Sequence, residues 1–240
     1  MDSQVKFCAI NMDGRARVLL WDIDGTILNT NGAGVKPLLS SIHEHTSILV
    51  KYNRDNYSGL TDHQIIDKLL IENNIDSNLE LINKIISDYE NALEDALSEG
   101  NIEVLRNFQN LLPYLETNFN IHNLIVTGNT YKGAIAKLNA VKLNNYFSKK
   151  YCSENLQPRK DIVSQAISNF PKGSNFCVIG DTPHDIAGAK HNSIPVIAVA
   201  TGAYTVDTLK EYEPDACLNS KWDEADLITE LNRIWNEEIN

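Results

Sequence analysis

Short apolar segments alternate with amphipathic segments through most of the chain. The apolar segments end abruptly in polar residues or glycine, which is typical of buried strands that deliver polar side chains at their C-terminal tips. Nearly continuous apolar strands between helices indicate a parallel sheet covered on both faces. We therefore predict an α/β fold with a Rossmann-like, doubly wound parallel sheet. The predicted strands are residues 18–21, 124–126, 151–152, 176–179, 195–199 and 216–218, and the predicted helices are residues 131–143, 160–170, 185–191, 206–212 and 222–237.

The stretch after the first strand has a different pattern, with helical periodicity and no short apolar strand. Residues 61–71 and 79–97 repeat apolar side chains at helical spacing, and Thr61 or Asp62 is suited to cap the first of these helices. The stretch lacks a tether rich in proline, glycine or serine, so we expect it to dock over the sheet. The predicted domains are a core of residues 1–29 plus 104–240 and an inserted helical cap of residues 30–103.

The first predicted strand leads into two carboxylates that lie two residues apart. Asp22 and Asp24 follow the strand, and Gly25 and Thr26 come next. A glycine here lets the backbone approach a ligand and offer N–H groups to an anion. Two carboxylates at a strand tip suit a nucleophile with a general acid/base, or a hard metal ion. An isolated Asp-x-Asp-Gly sequence is more often a solvated turn, so the interpretation depends on the other strand tips.

Other strand tips carry groups that would complete such a site. They supply a hydroxyl, backbone amides and two more carboxylates, and a basic pair precedes a predicted helix. In sheets of this class, ligands bind beyond the carboxyl ends of the strands, so these groups are expected at one edge. The residues concerned are Thr127, Gly128, Asn129, Arg159, Lys160, Asp181 and Asp185.

Composition narrows the classes of partner. The 240 residues include 42% hydrophobic and 22% charged residues, as in ordinary globular proteins. The net charge of −11 argues against binding to nucleic acid or to an anionic membrane. No apolar run approaches the roughly 18 residues of a membrane span, and the N-terminal sequence lacks a secretory apolar core. We therefore expect a cytoplasmic protein, and an anionic substrate would need local cations and backbone dipoles.

The order and spacing of these groups resemble the haloacid dehalogenase superfamily of phosphotransferases. The resemblance covers nearly the whole chain from Arg17 onward, while residues 1–16 lie outside it, and their apolar segment 5–10 suits an extra edge strand or a disordered extension. Within the superfamily, the cap sequence Gly59-Leu60-Thr61-Asp62 resembles the phosphoglycolate phosphatase-like branch. Residues 22–26 resemble the first motif, Thr127 the second, Arg159 or Lys160 the third, and Gly180-Asp181 with Asp185 the fourth.

The resemblance implies a mechanism. Asp22 would attack phosphorus and form an aspartyl-phosphate, while Asp24 would protonate the leaving oxygen and later activate water. The implied cofactor is Mg²⁺, held by Asp22, the backbone carbonyl of Asp24 and Asp181, with Asp185 in or near the layer of residues around these ligands. The phosphoryl oxygens would be held by Thr127, by a basic residue and by the amides of Gly25, Thr26, Gly128 and Asn129.

The cation of the third motif is either Arg159 or Lys160. Many relatives have a lysine followed by proline here, whereas Pro158 precedes both basic residues in this chain. The phase of the following helix favours Arg159. The compact charge of a lysine ammonium, the more usual partner of the attacking aspartate in this family, favours Lys160.

The predicted function is a Mg²⁺-dependent phosphatase acting on a small phosphorylated metabolite. A phosphomutase of the same family and a non-enzymatic, phospho-accepting signalling module are the alternatives, and the inserted cap argues against the module because it would cover the face that partners need. Dehalogenation is disfavoured because it has no alkoxide leaving group that would need Asp24 as an acid.

We expect the cap to close over Asp22 and exclude water, with Thr61 and Asp62 as candidate specificity residues. The sequence indicates neither the phosphate ester nor the oligomeric state.

Overall fold

The structure is a computed structural model, and it describes residues 15–53 and 56–236. The apolar segment 5–10 lies outside the described residues. The strands are β1 (Arg17–Trp21), β2 (Leu28–Asn29), β3 (Glu103–Val104), β4 (Ile121–Val126), β5 (Lys150–Tyr151), β6 (Asn175–Gly180), β7 (Val196–Val199) and β8 (Ala216–Leu218). The helices are α1 (Val35–Thr46), α2 (Asp62–Glu72), α3 (Leu79–Glu99), α4 (Phe108–Phe119), α5 (Tyr131–Ala140), α6 (Arg159–Ile167), α7 (Pro183–His191), α8 (Val206–Lys210) and α9 (Glu224–Trp235).

Six of these strands form one parallel sheet in the order β5-β4-β1-β6-β7-β8. Alternate residues of β1 enter two hydrophobic clusters on opposite faces: Leu19 and Trp21 pack with residues of α4, α5 and α9, and Val18 and Leu20 pack with residues of α6, α7 and α8. Helices therefore cover both faces, and the predicted Rossmann-like α/β fold is confirmed. Since β1 lies between β4 and β6, the tips of these three strands are neighbours.

Helices α1, α2 and α3 share a third hydrophobic cluster, which Ala136 of α5 also joins, and this clustering is consistent with the predicted cap of residues 30–103. The bounds of the cap stay a prediction. The antiparallel pair β2–β3 lies where the chain enters and leaves this part, with Leu28 opposite Val104 and Asn29 opposite Glu103. Each of these strands has two residues, which is too short to give a periodic pattern in the sequence.

Helix α4 is not among the predicted elements. It contains Pro113, which lacks the N–H of an interior helical residue and normally interrupts a helix. The helix nevertheless buries Phe108, Leu111, Leu112 and Leu115 against the sheet, and this packing offsets the lost hydrogen bond. Across residues 15–53 and 56–236, no helix has both the length and the apolar character needed to cross a membrane.

Candidate active site

The tips of the central strands open into a cavity of about 170 Å³ between the sheet and helices α1 to α3. The lining comes from the loops after β1, β4 and β6 and from the facing helices and loops. Of the predicted site residues, Asp22, Asp24, Asp62, Thr127, Gly128, Asn129, Arg159 and Asp181 line the cavity. Gly25, Thr26, Thr61, Lys160 and Asp185 are not part of its lining.

Three buried carboxylates lie close together, and two of them, Asp22 and Asp181, line this cavity. Asp22, Asp181 and Asp185 each place an oxygen within 4.8 Å of the others. Burial raises the pKa of Asp22 to about 6, although Arg159 opposes the shift. Burial, with Asp185 and Asp22 adding to it, also raises the pKa of Asp181 well above its usual range. Both pKa values are raised chiefly because these carboxyl groups are buried away from solvent, and the neighbouring carboxylates add to the effect.

The carboxylate cluster fits a divalent cation. Among the described residues, Arg159 is the one cation that pairs with these carboxylates, so three negative charges face one positive charge. All the donors are oxygens, which are the ligands that Mg²⁺ prefers. The donor set and its excess charge therefore suit Mg²⁺.

Arg159, the first residue of α6, is the basic residue that the fold directs into the site. Its Nη1 lies 2.8 Å from Asp22 Oδ1 and 2.9 Å from Asp185 Oδ1. Gly188 of α7 makes room for it, because a Cβ at that position would lie 3.2 Å from Arg159 Cγ. Lys160 is exposed. Of the two candidate cations, the structure thus brings Arg159 to Asp22 and leaves Lys160 at the surface.

The second predicted motif presents a hydroxyl to the cavity. Thr127 Oγ1 accepts hydrogen bonds from Asn129, from its backbone N at 3.3 Å and its Nδ2 at 2.8 Å. Because the oxygen acts as an acceptor in both, its own hydrogen remains to be donated to an anionic oxygen in the cavity. Thr127 is fully buried, so such a donor would act with little competition from water.

The amides of Gly25 and Thr26 differ from the expectation. Gly25 N donates to Leu28 O at 2.8 Å, and Thr26 N donates to Ile23 O at 3.3 Å. The chain turns tightly after Asp24, and these hydrogen bonds close the turn. In this structure both amides are donors within the loop rather than to the cavity. The Thr26 hydroxyl instead donates to Asp181 Oδ1 at 3.3 Å.

Lys137 is a cavity residue that the sequence analysis missed. Its ammonium, on α5, lies 2.9 and 2.7 Å from the two carboxylate oxygens of Asp24 and 2.5 Å from Asn129 Oδ1. Burial lowers its pKa, but Asp24 and Asp62 outweigh that effect, and the net shift is upward. The available signal was a lysine on the same helical face as Gly133 and Ala134, which are buried.

Residues of α2 and the loop before it contact the second motif directly. Asp62 donates its backbone N–H to Gly128 O at 2.9 Å, and its Oδ2 accepts from Thr130 N at 2.8 Å. Burial raises the pKa of Asp62 to about 6. Thr61 has a different role, because its hydroxyl caps α2 by accepting from Gln64 N. The structure therefore brings Asp62 to the cavity and uses Thr61 to begin the helix.

Gly59 makes another close contact between this loop and the core. It has a φ of +81°, and a Cβ there would lie 2.6 Å from His184 Cδ2 and 2.9 Å from Thr182 Oγ1. His184 belongs to α7, which begins beside the fourth predicted motif. Only glycine meets both the backbone conformation and the space of this contact.

We expect Gly59→Ala to lower the free energy of unfolding by about 1–2 kcal/mol, because a left-handed non-glycine residue carries a cost of that size and the new methyl collides with His184. Adding His184→Ala should recover part of the loss, with His184→Ala alone as the control. Urea unfolding of the three variants measures the coupling. Unchanged stability in Gly59→Ala would contradict the close packing of this loop.

Comparisons with known proteins identify the family of this chain and find solved structures that share its fold. Residues 19–199 match the sequence profile of the haloacid dehalogenase-like hydrolases. Pyrophosphatase PpaX from Bacillus cereus (strain B4264) is 23% identical over 226 residues, which are 91% of this chain and 99% of that protein. Two solved structures share the fold: a hydrolase from Pseudomonas syringae (TM-score 0.69, 21% identity, 92% of this chain and 99% of that one), and β-phosphoglucomutase from Clostridium difficile (TM-score 0.70, 16% identity, 92% and 100%).

Proposed function

Because this chain belongs to the haloacid dehalogenase-like hydrolase family, we propose that it is a Mg²⁺-dependent phosphatase that hydrolyses a small organic phosphate monoester through an aspartyl-phosphate on Asp22. The observation that carries the proposal is the pairing of Asp22 with Arg159, 2.8 Å apart, beside two further buried carboxylates. A carboxylate held in this way faces the cavity with a counter-charge already in place.

Asp22 is the proposed nucleophile. Its oxygen bonds to phosphorus, the ester P–O bond breaks, and the leaving oxygen takes the bonding electron pair. Arg159 fixes Oδ1 of this carboxylate and adds a positive charge near the phosphoryl group. Hydrolysis of the aspartyl-phosphate by water then releases inorganic phosphate and restores the carboxylate.

The proposed Mg²⁺ ligands are the carboxylates of Asp22 and Asp181 and the backbone carbonyl of Asp24. When bound, the ion supplies positive charge that neutralises phosphoryl oxygens in the transition state. Asp185 already contacts Arg159 through Oδ1 and Thr182 through Oδ2. Its contacts support a place just outside the ligand set, where it holds Arg159 in position.

Asp24 is the proposed general acid and base. It lines the cavity together with Asp22, two residues earlier in the same loop. In the first step Asp24 gives a proton to the leaving oxygen, and in the second it takes one from the attacking water. The Thr127 hydroxyl and the Gly128 amide are the proposed donors to the phosphoryl oxygens. The Asn129 amide, which the sequence also suggested, donates to Thr127 Oγ1 instead.

The apolar part of the cavity lining supports an organic leaving group. Val35, Leu38 and Ile65 line it, together with Tyr52 and Tyr57, whose rings stack 5.1 Å apart. Inorganic pyrophosphate has no apolar surface to match such a wall. We therefore propose that organic monoesters are better substrates than pyrophosphate, although the similar Bacillus cereus protein is named a pyrophosphatase.

The test is release of inorganic phosphate from a panel of small phosphate esters and pyrophosphate. We expect Mg²⁺-dependent release, a fall of about 10²-fold or more with EDTA, and full recovery with excess Mg²⁺, because charge on the phosphoryl oxygens would lose its counter-ion. Release that EDTA leaves unchanged would refute the metal assignment. Formation of an isomeric ester without free phosphate would show that the protein is a phosphomutase rather than a phosphatase. A long-lived phospho-protein without turnover would indicate a signalling module.

A further inference from the structure

The two carboxylates of the first loop have separate cationic partners. Arg159 of α6 contacts Asp22, and Lys137 of α5 contacts Asp24. The side chains of both cations are at most 9% exposed. The cations come from different helices on opposite faces of the sheet, so each carboxylate is fixed independently of the other.

The Asp24 carboxylate is held by hydrogen bonds as well as by the charge of Lys137. Lys137 Nζ contacts both of its carboxylate oxygens, and Asn129 Nδ2 donates to Oδ2 at 2.7 Å. Lys137 also contacts Asn129 Oδ1, so the three side chains close a ring of hydrogen bonds. A carboxylate held at both oxygens keeps one orientation, which proton transfer to a defined atom requires.

We propose that Lys137 is a positioning residue that orients the Asp24 carboxylate toward the leaving oxygen of the substrate. The inference rests on the proposed function. In the step concerned, Asp22 bonds to phosphorus, the P–O bond to the leaving group breaks, and the leaving oxygen takes the proton of the Asp24 carboxyl group. Asp24 is left as the carboxylate that Lys137 contacts in the structure, and it takes a proton from the attacking water in the second step. Lys137 touches neither substrate nor phosphorus in this assignment and acts through Asp24.

This role differs measurably from simple structural support. A poorly oriented Asp24 slows departure of a basic leaving group, which needs the proton, far more than departure of an acidic one, which does not. A general loss of structure would slow both reactions alike. Phenyl phosphate and p-nitrophenyl phosphate have the same ring and differ in the acidity of the phenol, so they separate the two effects.

The experiment compares kcat/KM for these two esters in Lys137→Gln, Lys137→Arg and Lys142→Met. We expect Lys137→Gln to lower the value for phenyl phosphate by about 10²-fold and that for p-nitrophenyl phosphate by about 3-fold or less. Lys137→Arg keeps a cation and should recover part of the loss on phenyl phosphate. Lys142→Met changes an exposed lysine just after α5 and should match the wild-type protein on both esters.

The outcomes are distinct. Equal losses on the two esters in Lys137→Gln, or no loss on either, would overturn the positioning role while the phosphatase activity of the wild-type protein stands. If the glutamine variant does not fold, the Lys137→Arg variant decides, because a shift in its ratio between the two esters supports the role and an unchanged ratio rejects it. If the wild-type protein hydrolyses no ester with Mg²⁺, the proposed function fails, and this inference fails with it.

Discussion

Asp22→Asn is expected to lower kcat/KM for the best phosphate ester by about 10⁴-fold or more, as removal of a covalent nucleophile does in other enzymes. The amide of Asn cannot form the aspartyl-phosphate, and its neutral side chain also loses the charged pair with Arg159. Steady-state phosphate release measures the loss. Acid-quenched labelling with a ³²P ester should trap phospho-protein in the wild type and none in the variant.

The fold of Asp22→Asn should survive, which separates chemistry from stability. Burial raises the pKa of Asp22 from 3.8 to about 6, so the folded protein favours the protonated carboxyl. The contribution of this group to stability therefore falls as pH rises from about 4 to about 6 and stays low above that. The variant escapes this cost, so its Tm relative to the wild type should rise over the same interval.

Asp161→Asn is the matched control for the nucleophile. Asp161 is an exposed aspartate in the first turn of α6, and its replacement should leave activity within about 2-fold of the wild type. Substantial turnover in Asp22→Asn, in protein free of contaminating phosphatase, would place the nucleophile elsewhere.

Arg159→Met is expected to destabilise the protein by about 3–5 kcal/mol, the usual cost of removing one partner from a buried ion pair. Asp22 and Asp185, which Arg159 Nη1 contacts at 2.8 and 2.9 Å, would be left without a counter-charge in a site with little water. Urea unfolding measures the change. Added Mg²⁺ should recover part of the stability, since the ion would supply charge to the same carboxylates.

The neighbouring residue gives a control of the same kind. Lys160→Met changes an exposed lysine and should alter the free energy of unfolding by no more than about 0.5 kcal/mol. Equal destabilisation by the two substitutions would show that Arg159 carries no special role. A smaller activity loss in Arg159→Met than in Lys160→Met would reassign the cation of the third motif.

The sheet and its edge were predictable from the sequence because the signals are local. Apolar runs identified the strands, and the carboxyl ends of parallel strands meet at one edge, which brought Asp22, Thr127 and Asp181 together. The choice between Arg159 and Lys160 stayed open because two signals disagreed: the phase of α6 favoured Arg159, whereas the chemistry of the ammonium favoured Lys160, and the structure agrees with the helix phase. Pro158 at the N-cap sets where that helix begins, and so directs Arg159 inward.

The position of Lys137 in the cavity could not be predicted from the sequence. The residue lies two turns into α5, and a lysine there is ordinarily a solvated surface residue. Only the packing of α5 against α3 and the sheet turns this position toward Asp24.

The Gly25 and Thr26 amides could not be placed from the sequence either, because their hydrogen-bond partners within the loop depend on how tightly the chain turns after Asp24.

The β2–β3 pair has a consequence for how proteins of this shape diversify. Leu28 and Val104 are paired neighbours, so the chain leaves the core and returns to it at points about 5 Å apart. An insertion anchored in this way spans almost no distance on the core. One helical module can therefore be exchanged for another of different length without changing the register of the parallel strands. The inserted helices and the parallel sheet can then change in sequence independently of each other.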